Sequence, residues 1–162
     1  MVGRGISTGQ QTVAIRPATK HDIGQLYRLM LALAEYEGYM NEFCVTEEDL
    51  VRLGFREAKE RQFECVVAEL GRSIVGYALT YVIPFTFDLR PTIVLKELFV
   101  APGYRSRGIG QGLVAAVVED GRQRNARLLR WQVLPDNTAA KRFYRKIGGE
   151  PDRAWQSWVY QL

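Results

Sequence analysis

Leu98-Phe99-Val100-Ala101-Pro102-Gly103-Tyr104-Arg105-Ser106-Arg107-Gly108-Ile109-Gly110-Gln111-Gly112 runs from an apolar strand-like stretch into a basic turn and on into a helix. The first backbone N–H groups of a helix have no partner within it, and the helix dipole adds positive potential at that end. Glycines let a phosphate come close to the main chain, so this turn is predicted to seat a pyrophosphate. Two familiar phosphate loops do not fit. The Gly-Lys-Ser/Thr ending of a P-loop is absent, and Gly108, Gly110 and Gly112 lack the spacing of a dinucleotide fingerprint. CoA suits the stretch better than either of their ligands. A glycine-rich helix start also serves plain turn chemistry, so its surroundings carry the case.

Working outward, Thr92 to Val100 reads as a strand. The helix from Gly108 carries Leu113, Val114, Val117 and Val118 toward Gly121, and Leu128 to Val133 follows as a strand. Upstream, Phe63 to Glu69 and Ser73 to Tyr81 flank Gly71-Arg72, the pattern of a hairpin, and Pro84 ends the second strand. Thr12 to Arg16 alternates as a short strand. Thr19-Lys20-His21-Asp22 has the form of a capping box ahead of Ile23, Leu26, Tyr27, Met30, Leu33 and Ala34, an amphipathic helix. Thr46-Glu47-Glu48-Asp49 opens a second helix, which Gly54 is expected to close in a left-handed conformation. Asn137 caps a last helix bearing Ala140, Phe143, Tyr144 and Ile147 up to Gly148-Gly149, and Trp155 to Tyr160 is expected as a final strand. The expectation is an α/β domain with a mixed sheet of six or seven strands and about four helices.

A chain of 162 residues, 47% hydrophobic and 25% charged, has the size and composition of one globular domain, with no apolar run long enough to span a membrane. Met1 to Gln11 lacks the apolar block of a secretion signal and is expected as a flexible tail, leaving residues 12–162 as one domain. Cys44, Cys65 and His21 are too few for a disulfide scaffold or a usual zinc site, so no metal is expected and a reducing, cytoplasmic setting fits. His21, in a helix-opening box, is expected at the surface. Charge is divided along the chain. Lys20 to Glu69 holds six basic and eleven acidic residues, while Val100 to Leu162 holds eleven basic and five acidic ones. Such a split suits a cation met by the first half and a polyphosphate by the second, although solvated faces give it too.

Arg105-x-x-Gly108-x-Gly110 resembles the pyrophosphate signature of the GNAT acetyltransferases, and Asn137-x-x-Ala140-x-x-x-Tyr144-x-x-x-Gly148 is similar to their second cofactor segment. Ile15-Arg16-Pro17-Ala18-Thr19, Leu33-Ala34-Glu35-Tyr36-Glu37 and Ser73-Ile74-Val75-Gly76-Tyr77 resemble the diamine and polyamine branch, so the likeness covers nearly the whole chain. It implies the GNAT fold, a mostly antiparallel sheet, a homodimer, acetyl-CoA as co-substrate and direct acetyl transfer to a small cationic amine in a ternary complex.

Carried over residue by residue, the resemblance implies that backbone groups of Leu98, Phe99 and Val100 pair with the pantetheine arm and polarise the thioester. Arg105, Ser106, Arg107, Gly108, Ile109, Gly110 and Gln111 wrap the pyrophosphate, with charge from the two arginines, which otherwise are solvated loop residues. Asn137 bonds pantetheine or caps its helix, and Ala140 lies on the same cofactor segment. Tyr144, two turns beyond Asn137, protonates the departing thiolate or packs the last helix on the sheet. Glu97 is the candidate base, with substrate binding or an ion pair as its other roles. Related enzymes carry acids at both positions of Lys96-Glu97, and strict strand alternation sets the two side chains on opposite faces. Lys96 repels a polyamine if it faces the cleft, leaving a smaller amine, an amino-acid side chain or a carboxylate-bearing substrate. Tyr36 and Glu37 match the substrate-side segment, next to an apparent one-residue insertion at Gly38; an exposed helix end accounts for Glu37 equally. No nucleophile motif surrounds either cysteine. The other readings are acetylation of a peptide or antibiotic amine and a CoA sensor without turnover. Nucleic-acid binding lacks any base-stacking or recognition-helix motif, and neither nucleic acid nor membrane is expected as a partner.

Overall fold

The computed structural model describes residues 4–8, 11–57, 60–84 and 87–162, which cluster into an N-terminal unit ending at Trp131 and a C-terminal unit beginning at Gln132. The first unit is built on one sheet in the spatial order β1 (Arg4–Thr8), β2 (Gln11–Pro17), β3 (Glu64–Leu70), β4 (Ser73–Ile83), β5 (Thr92–Val100) and β6 (Leu128–Trp131). Neighbours pair antiparallel from β1 through β5, and β6 runs parallel to β5. That last pairing needs a crossover, which α3 (Ile109–Gln123) supplies.

β4 is covered on both faces, being buried from Ile74 to Thr80. On one face lie α1 (Ile23–Glu37) and α2 (Glu47–Gly54), whose Ile23, Leu26, Met30, Leu33 and Leu50 form a core with Val67, Tyr77, Leu79 and Phe99. On the other lies α3, since a side chain added at Gly76, next to Tyr77 and so facing the opposite way, would meet Leu113. The start of α1 is fixed by charge as well as by capping. The Thr19 N–H and hydroxyl donate to Asp22 Oδ2, while Arg16 donates to both Asp22 oxygens at 2.7 and 2.8 Å and to Glu69 at 2.8 Å. The fork holds β2, β3 and the entrance of α1 together.

Three expectations are corrected. Arg4–Thr8, read as part of a flexible tail, is a strand with Ile6 opposite Val13; residues 1–3 and 9–10 of that stretch lie outside the described residues. Backbone pairing along the edge of β2 needs no apolar pattern, so composition gave no sign of it. Trp155 to Tyr160, read as the final strand, forms none. Of the six strands expected from the sequence, five therefore form, and the sixth member of the sheet is β1 instead. Gly54 ends α2 without a left-handed conformation; a Cβ there would fall 2.2 Å from the Phe63 ring, so close packing explains the glycine.

Candidate active site

The glycine-rich turn leads into α3 at Gly108, where its sequence placed the helix start. Pro102–Tyr104 makes one 3-10 turn, Ser106 (φ 61°) and Gly108 (φ 80°) are left-handed, and no side chain caps α3 at Gly108. The first intrahelical bond is Gly112 N–H to Gly108 O at 2.9 Å, which leaves the N–H groups of Ile109, Gly110 and Gln111 without a partner inside the helix. Ile109 is buried and anchors the turn, whereas Arg105, Ser106, Arg107 and Gly108 are exposed. Arg105 is held rather than merely solvated. Its Nε donates to Val100 O at 2.8 Å, and its guanidinium lies 4.8 Å from the Tyr36 ring centre and 5.5 Å from that of Phe99. Arg107 lies over Tyr104 at 5.7 Å.

Immediately before this turn β5 changes partners. β6 pairs with Thr92 to Leu95 and stops, while β4 continues to Val100 on the inner side. Among the described strands nothing pairs with the outer edge from Lys96 to Val100, so the backbone of Leu98, Phe99 and Val100 can add an extended arm.

The β4–β5 register slips at the same point. Glu97 lies opposite Leu79 but Leu95 lies opposite Thr80, making Lys96 the extra residue. Strict alternation between Lys96 and Glu97 is thereby lost, which corrects the expectation that they face opposite ways: both stand against Leu79. Lys96 is exposed, and Glu97, on the α1 face with Tyr77 and Phe99, is partly covered. The buried Tyr77 hydroxyl donates to Glu97 Oε2 at 2.7 Å.

Glu97 sits at the middle of an acidic group. Burial pushes its carboxyl above the ordinary range and the nearby charge of Glu37 adds to this, while the Tyr77 hydrogen bond and Lys96 work against it. Tyr39, just past the end of α1 where left-handed Gly38 turns the chain, is pushed up to about 12 by burial and by the charges of Glu97 and Glu37. Burial, then Glu97, pushes the Cys65 thiol up, which disfavours the thiolate form. Sequence reasoning missed Tyr77 and Tyr39. Tyr77 lay inside a quoted motif, but only the strand register brings it to Glu97.

In the C-terminal unit, α4 (Thr138–Lys146) is capped by Asn137, whose Oδ1 accepts from the Ala140 N–H at 3.0 Å. Ala140 and Tyr144, four residues apart, share one side of the helix. Tyr144 is half-buried and its ring meets that of Phe143 edge-on at 5.3 Å. Beyond Gly148 the chain runs without helix or strand, and Trp155, Trp158 and Tyr160 are exposed.

The acetyltransferase (GNAT) family matches residues 26–149. A thialysine N-epsilon-acetyltransferase of Bos taurus is 33% identical over 154 residues, covering 90% of this chain and 89% of its own. A human spermidine/spermine N(1)-acetyltransferase-like protein 1 is 25% identical over 93% of this chain and 22% of its own length. Among solved structures, aminoglycoside N-acetyltransferase AAC(6')-Iy in complex with CoA superposes with a TM-score of 0.74 at 18% identity, over 96% of this chain and 99% of that one. At that identity the likeness speaks for the fold alone. The chain belongs to the GNAT acetyltransferase family and is an acetyl-CoA-dependent N-acetyltransferase. Its relatives include members of the diamine and polyamine branch that its motifs resemble. No helix among the described residues is long and apolar enough to cross a membrane.

Proposed function

We propose that the chain, β1 included, works as one domain that moves the acetyl group of acetyl-CoA onto the primary amine of a small cationic substrate, by direct attack in a ternary complex. The observation that carries this reading is the adjacency, along β5, of three features: the acidic group at Glu97, the open edge from Lys96 to Val100, and the uncapped start of α3. An ammonium belongs at the first, an extended pantetheine at the second and a pyrophosphate at the third.

In this mechanism Glu97, directly or through water, takes a proton from the ammonium, whose pKa near 10 otherwise keeps it unreactive. The nitrogen lone pair attacks the thioester carbon, with backbone N–H groups of Leu98 to Val100 polarising its oxygen. The C–S bond breaks as Tyr144 gives its phenolic proton to the sulfur; a phenol near 10 loses no proton early and can protonate a thiolate near 8.5. Two protons leave the nitrogen in all: one replaces that of Tyr144 and the other is released. Arg105, Arg107 and the N–H groups of Ile109 to Gln111 hold the pyrophosphate, Asn137 and Ala140 serve the cofactor segment, and Tyr36 and Glu37 face the amine.

Within that class, Lys96 beside Glu97 favours a lysine-like amine over a polyamine, because a carboxylate on the substrate can meet its ammonium. The name of the Bos taurus relative, a thialysine enzyme, supports that choice. Two free thiols, Cys44 and Cys65, support a reducing cytoplasmic setting, and the family branch supports a homodimer. Thiol release from acetyl-CoA, measured against lysine, thialysine, spermidine, diamines, aminoglycosides and short peptides, tests the reading. A lysine-like or polyamine substrate turned over well by the wild type and at least about tenfold more slowly by Tyr144→Phe is the expected result. Tight acetyl-CoA binding with no acetylated amine would replace it with a CoA sensor.

A further inference from the structure

We propose that Tyr77 is a positioning residue for the reaction: its buried hydroxyl fixes the Glu97 carboxylate and reserves the other carboxylate oxygen, Oε1, for the incoming ammonium. This rests on the reading of Glu97 as proton acceptor. The phenol has one hydrogen to give, and it gives it to Oε2 at 2.7 Å. Tyr77 is fully buried between β3 and β5, with its ring 6.4 Å from that of Phe99, so the hydroxyl has little freedom to turn elsewhere. A carboxyl held on one oxygen by a rigid neighbour presents the second in a fixed direction, which is what proton transfer over hydrogen-bond distance requires.

The groups around Glu97 come from every neighbouring element: Lys96 on its own strand, Tyr77 on β4, Cys65 on β3, Glu37 at the end of α1 and Tyr39 just beyond it. Burial and Glu37 favour the protonated acid, a form unable to accept a proton; Tyr77 and Lys96 favour the carboxylate. A hydrogen bond to a charged group raises the weight of the charged form, so Tyr77 extends the range of ionised Glu97 toward lower pH. The geometry thus separates two tasks on one side chain, with Oε2 held and Oε1 reacting.

The test is the pH profile of kcat/KM, with acetyl-CoA and the best amine of the panel, for the wild type, Tyr77→Phe, Glu97→Gln and the double variant. Tyr77→Phe is expected to move the acid limb up by about one pH unit, from the size of a charge-assisted hydrogen bond, and to leave the acetyl-CoA KM unchanged. In the Glu97→Gln background the same change is expected to shift nothing further. Infrared titration of the Glu97 carboxyl, assigned by difference against Glu97→Gln, should show the same upward shift without any turnover. An acid limb and carboxyl midpoint that both stay in place, with only a lower melting temperature, would reduce Tyr77 to a packing residue and overturn the proposal. Should Tyr77→Phe fold poorly, the wild type gives the reading. Its tyrosine C–OH band must move with the Glu97 midpoint and stay still in Glu97→Gln; a band indifferent to Glu97 overturns the proposal. Absence of turnover on every amine strikes instead at the acetyl-transfer reading, which the infrared result distinguishes.

Discussion

Two carboxylates in the N-terminal unit, Asp22 and Glu97, are both drawn out of water and are driven in opposite directions. Asp22, 4% exposed, is forked by the Arg16 guanidinium and bonded by Thr19, and these partners bring its pKa down to about 2 against the effect of burial. Glu97 has one phenol hydrogen bond and an exposed lysine at its side, and burial wins. A carboxylate surrounded by donors is settled into structure, whereas one left short of them at a strand irregularity is available for proton chemistry. The expected pH responses and mutant phenotypes diverge accordingly.

The largest effect is expected from Glu97→Gln, a loss in kcat/KM on the order of 10²-fold or more, with melting unchanged or slightly raised, measured by thiol release and calorimetry. Equal activity in that variant would move the base elsewhere. Arg16→Met should instead leave kcat of the folded enzyme near wild type while costing about 3 kcal/mol in denaturant unfolding, because it strands Asp22 buried and Glu69 unpaired. Next in size is the pH dependence of stability. For Asp22, with its folded pKa below the unfolded value near 3.8, the unfolded chain binds more protons, so about 2 kcal/mol present above pH 4 should be lost as pH falls through about 2. Glu97 has the reverse sign: its folded pKa lies above 4.5, so stability should decline as pH rises from there, and Glu97→Gln should abolish that decline. Urea midpoints taken from pH 2 to 7 read both. The smallest expected effect is in Lys96→Glu, which should raise the spermidine-to-lysine ratio of kcat/KM several-fold, a change of about 1 kcal/mol for a partly solvated charge. A ratio that does not move would remove Lys96 from substrate selection.

The N-terminal unit was largely legible. The Thr19 and Thr46 boxes, the periodicity of α1 and α3 and the Gly71-Arg72 hairpin are local signals, and each appears where it was read. The glycine-rich turn could be located because left-handed residues and an uncapped helix start are encoded within a few positions. Errors fell where strand pairing, and not the apolar pattern of the segment itself, decides the outcome. Arg4–Thr8 gains a strand from the free edge of β2, and Trp155 to Tyr160, with a suitable pattern, has no strand partner among the described residues. The apolar pattern is a condition for a strand, not a cause sufficient for one.

From sequence alone came the α/β class, the helices, the glycine-rich turn ahead of α3 and the acetyltransferase family, because caps, periods and ordered motifs act over short stretches of chain. The acidic group was decided by the fold. Glu37, Cys65, Tyr77 and Glu97 are dispersed over sixty residues of sequence, and a one-residue slip between β4 and β5 determines which way the last of them faces. Such a slip is set by how strands settle against each other over a shared core, and a single stretch of sequence carries no record of it.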